Sequence, residues 1–388
     1  MNEIQIERIE LFKVPPRWFF LKMTTKDGIV GWGEPIVEGR ADTVEACVHE
    51  LSQYLVGHPA NSIEDIWQTL YRGGFYRGGP ILMSALAGID QALWDIKGKS
   101  LGVPIYELLG GAVRQKMKMY CWIGGDSPDV VIEQAQAKVN EGYKAVKMNA
   151  TAAFEWIDTI KKIKSVTKNI SLLREEFGDD LDIALDFHGR IHKGMVKTLI
   201  DELAPYKPMF IEEPVLSENN DALNQIYSHT SIPIAMGERM YSRWDFKDIL
   251  QRGAVDIIQP DLSHAGGISE VRRIAAMAEA YDIALAPHCP LGPISLASAL
   301  QIDFACINAF IQESSLGIHY NGGYELLDYM ENPEVFSLKD GYISLLEGPG
   351  LGIQIDEEKV RVAQEIGHNW NSPIWRNKDG SIAEWYIS

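Results

Sequence analysis

The chain has 388 residues, 46% hydrophobic and 23% charged, the balance of a globular protein with room for a barrel and an accessory domain. Its formal charge of −18 repels nucleic acid and anionic membranes, and no run of eighteen apolar residues offers a span, so neither is expected as a partner. Cys47, Cys121, Cys289 and Cys306 lie far apart with no CxxC pairing, and the N-terminus opens Met1-Asn2-Glu3 without an apolar region, which predicts reduced thiols in the cytoplasm.

Residues 4–14, 18–25 and 29–32 read as antiparallel strands, with Lys26-Asp27-Gly28 as a hairpin turn. Helical periodicity follows at 43–54, 63–71 and 83–98. Strands followed by helices predict a separate α+β domain over residues 1–117.

From residue 118 the rhythm changes. Short apolar runs at 119–122, 145–148, 183–186, 209–211, 234–236, 256–258, 283–286 and 309–311 alternate with amphipathic stretches such as 128–141, 154–163, 195–203, 244–251 and 268–281. This spacing, roughly one strand per 25 residues, is that of repeated strand–helix units. Eight strands predict an α/β fold of the (β/α)7β type, a TIM-like barrel over residues 118–349 with the α+β domain as its cap. No GxGxxG follows a strand, which argues against a dinucleotide-binding sheet. The tail 350–388, helical only at 356–365, is expected to pack back on the cap.

Acidic residues recur at the ends of successive strands. Asp186 ends the third, Glu212 the fourth, and Glu238 follows the fifth, each 26 residues after the one before. They therefore share the C-terminal mouth of the barrel, where barrel sites form. Three carboxylates there repel one another unless a cation lies between them. Hard oxygen donors favour Mg²⁺, and Mn²⁺ accepts the same ligands. Glu213, next to Glu212, faces the opposite way in an extended segment and is expected to be buried and paired.

Two histidines share this mouth. His188 stands two residues past Asp186, so strand alternation aims both the same way. His288 follows the seventh strand and Asp261 the sixth. Adjacent strands bring them together, and a carboxylate on one imidazole nitrogen fixes the tautomer and raises basicity. His264, further into its loop, competes for the same partnership. A proton α to a carboxylate is barely acidic, but positive charge on that carboxylate and a histidine base make it removable. A second histidine then protonates a leaving β-hydroxyl. One metal, one base and one acid make a dehydratase; a silent scaffold would have lost one of them.

These residues sit in longer motifs that run nearly end to end. They include Gly31-Trp32-Gly33-Glu34-Pro35, Ile89-Asp90-Gln91-Ala92-Leu93-Trp94-Asp95, Asp186-Phe187-His188-Gly189-Arg190, Gln259-Pro260-Asp261-Leu262-Ser263-His264-Ala265-Gly266-Gly267 and Ala286-Pro287-His288-Cys289-Pro290. The chain resembles the enolase superfamily, in its mandelate racemase/muconate lactonizing enzyme branch. The resemblance implies one Mg²⁺ on Asp186, Glu212 and Glu238. It implies His288 with Asp261 as the base at C2, His188 as the acid at the 3-hydroxyl and Glu313 as a substrate contact. It further implies a symmetric homo-oligomer and a cap that closes the mouth, with Arg17, Trp18 and the loop Glu38-Gly39-Arg40 as candidate contacts for the polyol end. The implied substrate is a six-carbon acid sugar, D-galactonate first and mannonate or gluconate next, yielding a 2-keto-3-deoxy acid.

One departure matters. Racemases of this branch carry Lys-x-Lys on the second strand, where this chain has Lys147-Met148-Asn149. Asparagine cannot take a proton in that role, which favours elimination over racemisation or epimerisation. Lys147 and Asn149 are expected to bind the substrate carboxylate or a hydroxyl.

Overall fold

The computed structural model describes residues 4–124, 128–151, 153–318 and 321–384. The chain opens with an antiparallel sheet of β1 (Ile6–Val14), β2 (Trp18–Thr25) and β3 (Val30–Gly33). All eight residues of β2 are buried, because alternation sends them into two different cores. Phe19, Leu21 and Met23 join the core of the cap, while Trp18 and Phe20 join that of the barrel.

Against this sheet pack α1 (Ala41–Ser52), α2 (Ile63–Arg72) and α3 (Pro80–Leu101). Proline begins α3, and Gly102, at φ +70°, ends it in the left-handed turn that suits glycine. The sheet and α3 approach so closely that a Cβ on Gly33 would lie 1.9 Å from the Gly88 carbonyl oxygen. Only glycine fits there.

A single turn, α4 (Ile105–Leu108), leads into the barrel. Its units are β4 (Lys116–Trp122) and α5 (Pro128–Asn140), β5 (Ala145–Asn149) and α6 (Ile160–Phe177), and β6 (Asp182–Asp186) and α7 (Lys193–Leu203). Then come β7 (Ile211–Glu212) and α8 (Leu223–Tyr227), β8 (Ile234–Met236) and α9 (Arg243–Arg252), and β9 (Ile257–Ile258) and α10 (Gly267–Glu279). The last are β10 (Ala284–Leu285), α11 (Pro293–Ala305) and β11 (Gln312–Ser314). Neighbouring strands are parallel throughout, and β11 returns to pair with β4 through Glu313 and Tyr120. A parallel bridge between Leu285 and Ala309 joins the remaining edges. Eight strands and seven intervening helices thus close the (β/α)7β barrel. Its inside is a separate small core in which Tyr120 and Phe210 are offset by Ala145, Ala184, Ala235 and Ala286.

Several element bounds differ from the sequence reading, two of them markedly. The helix expected at 154–163 starts only at Ile160, where Thr159 caps it by accepting from the Lys162 N–H at 3.2 Å, and runs on to Phe177. The strand expected at 309–311 pairs with β4 three residues later, so Glu313 lies within β11 rather than beyond it.

After the barrel, β12 (Tyr342–Ser344) adds to β4 antiparallel, and α12 (Glu357–Ile366) lies against the cap sheet. Lys22 donates to Glu357 at 2.6 Å, and Arg361 to Glu10 at 2.8 Å. A hairpin of β13 (Trp375–Arg376) and β14 (Ile382–Ala383) follows. No helix among the described residues is long and apolar enough to cross a membrane.

Candidate active site

The C-terminal ends of the strands open into a cavity of about 700 Å³. Lys147, Asn149, Asp186, His188, Glu238, His288 and Glu313 line it from the barrel, and Arg17, Val37, Glu38 and Pro80 from the cap. Trp370, Pro373, Trp375 and Glu384 of the tail complete the wall.

Strand register builds the acidic floor. Asn149 pairs with Asp186 and Asp186 with Glu212, side by side on β5, β6 and β7. Glu238 reaches the same place from one turn beyond β8. It does so through Gly237, at φ +139°, where a Cβ would lie 2.7 Å from the Phe246 ring. Asp186 and Glu212 are buried and Glu238 is partly so. Lys147 donates to both Glu212 oxygens at 2.9 and 3.0 Å and lies 2.8 Å from Glu313 and 3.6 Å from Asp186. Burial alone would weaken its hold on a proton, but Glu212 and Glu313 keep it well above the usual lysine range. Gln259 donates to Glu212 at 2.7 Å.

Burial pushes Asp186 up to about 6, with Lys147 opposing and Glu238 adding to the rise. Burial acts the same way on Glu238, but His288 and His188 outweigh it and hold that carboxyl well below the usual range. Asp186 Oδ2 and Glu238 Oε2 accept no hydrogen bond, although His188 Nε2 stands 3.1 Å from the first and His288 Nε2 3.3 Å from the second. Ligand atoms of Asp186, His188 and Glu238 all lie within 4.8 Å of one another. Buried, hard, undonated carboxylate oxygens this close together fit a divalent cation.

His188 reaches the cavity by a different route from the one alternation suggests. β6 stops at Asp186, and His188 adopts φ +49°, with its N–H donating to Asp186 Oδ1 at 2.8 Å. A side chain in the left-handed region is strained, and such strain collects where geometry serves a site. Its ring packs edge-on to Trp122, and Arg190 Nη2 lies 2.9 Å from Nδ1. Burial and then the Arg190 charge push His188 well below the usual histidine range. Glu213, at φ +43°, is buried and lies 3.1 Å from Arg239.

His288 Nδ1 lies 2.8 Å from Asp261 Oδ2. Burial opposes its protonation, yet Glu238 and Asp261 raise it to about 10. His264 shares the same oxygen, with Nδ1 at 3.2 Å. Glu313 accepts from the Cys289 N–H at 2.9 Å, and burial pushes the Cys289 thiol well above its ordinary range.

One expected contact is corrected. Trp18 is wholly buried, stacked on Phe20 and edge-on to Tyr329, because its position on β2 faces the barrel core. It does not line the cavity. Arg17 beside it does, lying 2.8 Å from Glu38 and donating to the Pro290 carbonyl at 2.8 Å. Glu212 and Asp261 stand just behind the lining, each holding a side chain that faces it. The sequence reading missed Trp122, which ends β4 as Asp186 ends β6, and Arg239, which adjoins Glu238 and donates to the His188 carbonyl at 2.9 Å. It also missed the tail residues, which no spacing rule marks.

Residues 130–359 match the enolase C-terminal domain-like model, and residues 16–110 the mandelate racemase/muconate lactonizing enzyme N-terminal domain. The chain belongs to the mandelate racemase/muconate lactonizing enzyme family of the enolase superfamily. Among its relatives are the D-galactonate dehydratases of Ralstonia pickettii and Pectobacterium atrosepticum. Each is 56% identical over 382 residues, covering 98% of this chain and 100% of the relative. A solved enolase from Agrobacterium radiobacter, bound to Na and L-malate, superposes with a TM-score of 0.88 at 31% identity. That alignment covers 98% of this chain and 100% of the other. The superfamily's two-part plan, a cap over a barrel mouth, is the arrangement that encloses this cavity.

Proposed function

We propose that this protein dehydrates an acid sugar, D-galactonate first, to the 2-keto-3-deoxy acid. The observation that carries the reading is the pair of histidines against one carboxylate cluster, His188 beside Asp186 and His288 beside Glu238. Full-length relatives named D-galactonate dehydratase support the choice of substrate.

Asp186, Glu212 and Glu238 are the residues that would hold Mg²⁺. Bound there, the ion would place positive charge at the substrate carboxylate and offset the Glu238 charge that now favours a protonated His288. The chain's own groups do the rest. Lys147 and Asn149, on the second strand, hold the carboxylate. His288, oriented by Asp261, removes the C2 proton. His188 delivers a proton to the 3-hydroxyl as it departs, from its place beside Asp186. Glu313 and Arg17 contact the substrate further along the cavity. The cap and tail exclude water while this happens. Four free cysteines fit a reducing compartment, the cytoplasm, and a homo-oligomer is the expected assembly, which sedimentation tests.

The test is to incubate the protein and Mg²⁺ with a panel of six-carbon aldonic and uronic acids, detecting 2-keto-3-deoxy products as semicarbazones. D-galactonate turnover, lost in His288→Asn, is the expected result. Turnover of mannonate or gluconate instead moves the substrate and keeps the mechanism. No dehydration of any acid overturns the reading.

A further inference from the structure

We propose that His264 is a positioning residue for the Asp261–His288 pair and that it carries the seating of the capping loop, through Glu38, to the base. This deepens the dehydration reading and rests on it.

Both ring nitrogens of His264 face carboxylates, one from each domain. Nδ1 lies 3.2 Å from Asp261 Oδ2 in the barrel, and Nε2 lies 3.5 Å from Glu38 Oε2 in the cap. The Asp261 oxygen that His264 approaches is the one that His288 Nδ1 meets at 2.8 Å. On the cap side, Glu38 Oε1 pairs with Arg17 Nη1 at 2.8 Å. Arg17 Nη2 then donates to the carbonyl of Pro290, two residues past His288. The contacts close a ring that leaves the base, crosses to the cap and returns beside the base.

Each link does a definite job. Asp261 Oδ1 accepts from the Ser263 N–H at 2.7 Å, which leaves Oδ2 to the two imidazoles. Without His264, Asp261 and Glu38 would face each other with no cation between them, and their repulsion would turn Asp261 away from His288 and lift the loop at 37–40. Burial works against charge on His264, but Asp261 and Glu38 hold it protonated well above the usual range, consistent with a fixed cation between two anions. His264 borders the cavity, but both its ring nitrogens are taken up by Asp261 and Glu38, so it acts through Asp261 rather than on the substrate. A base displaced by an ångström loses rate without losing binding, because the carboxylate end of the substrate is held elsewhere, by Lys147 and Asn149.

The experiment compares wild type, His264→Ala, Glu38→Gln and the double variant in the full-length protein with Mg²⁺ and D-galactonate. It measures kcat, KM, melting temperature and C2 proton exchange in D₂O. Each single change should lower kcat and C2 exchange together, by roughly tenfold to a hundredfold, with KM within about threefold of wild type. The double variant should be no worse than the weaker single one, since both break the same ring. If His264→Ala does not fold, Glu38→Gln alone must still show this split. A lowered melting temperature with unchanged kcat, a raised KM with unchanged kcat, or losses that multiply in the double variant each overturn the proposal. Active wild type with unaffected variants overturns this inference alone, whereas wild type that neither exchanges nor dehydrates any acid sugar overturns it together with the dehydration reading.

Discussion

The Lys147 ammonium lies 2.9 and 3.0 Å from the two carboxylate oxygens of Glu212, with both side chains out of solvent. That single cation stands between Glu212, Glu313 and Asp186, so it carries the neutralisation that a divalent ion would share. Lys147→Met should leave buried carboxylates facing one another and lower stability by about 3–5 kcal/mol. Added Mg²⁺ should raise the melting temperature of the variant by more than that of wild type, as scanning calorimetry reads directly. An equal response in both proteins would mean that the carboxylates are not the ion's ligands.

Trp18 offers a test of core against contact. Its ring fills space between Phe20 and Tyr329, so Trp18→Ala should cost about 3–5 kcal/mol of stability. Trp18→Phe should leave KM for the acid sugar unchanged, as measured by steady-state kinetics on protein that remains folded. A several-fold rise in KM would return Trp18 to the substrate.

Glu34 joins the domains: it belongs to the cap, yet accepts from the N–H groups of Gly292 and Ser295 at the start of α11, at 2.7 and 2.9 Å. Burial outweighs those donors and pushes its carboxyl from the usual range up to about 8. Raised affinity for a proton in the folded state means a contribution that is complete below about pH 4.5 and is lost as pH rises to about 8. Thermal unfolding of wild type and Glu34→Gln at pH 5 and 8 checks this. The advantage of wild type over the variant should shrink toward pH 8, by at most about 1.4 kcal/mol per unit. A constant difference would show that Glu34 stays ionised across the window.

The barrel was legible because its strands are short apolar runs at an even interval, and the acids at their ends stand out against that rhythm. Asp186, Glu212 and Glu238 needed no more than this. α11 was not marked, since all thirteen of its residues are buried and a helix covered on every side has no polar stripe to show its period. His188 was found for a reason the structure replaces, a turn in place of alternation. The wall made by Trp370, Trp375 and Glu384 was out of reach, because the tail meets the site only after crossing the cap. Trp18 was misread for a related cause: on a strand shared by two cores, a residue beside a lining arginine points the other way.

The most direct test of the two-histidine account follows the C2 proton of D-galactonate by NMR in D₂O with Mg²⁺, for wild type, His188→Asn and His288→Asn. Wild type should dehydrate the substrate. His188→Asn should exchange the C2 proton while its dehydration falls by roughly a hundredfold to ten-thousandfold. His288→Asn should do neither. Exchange that persists without His288, or dehydration that persists without His188, would contradict the assignment of base and acid.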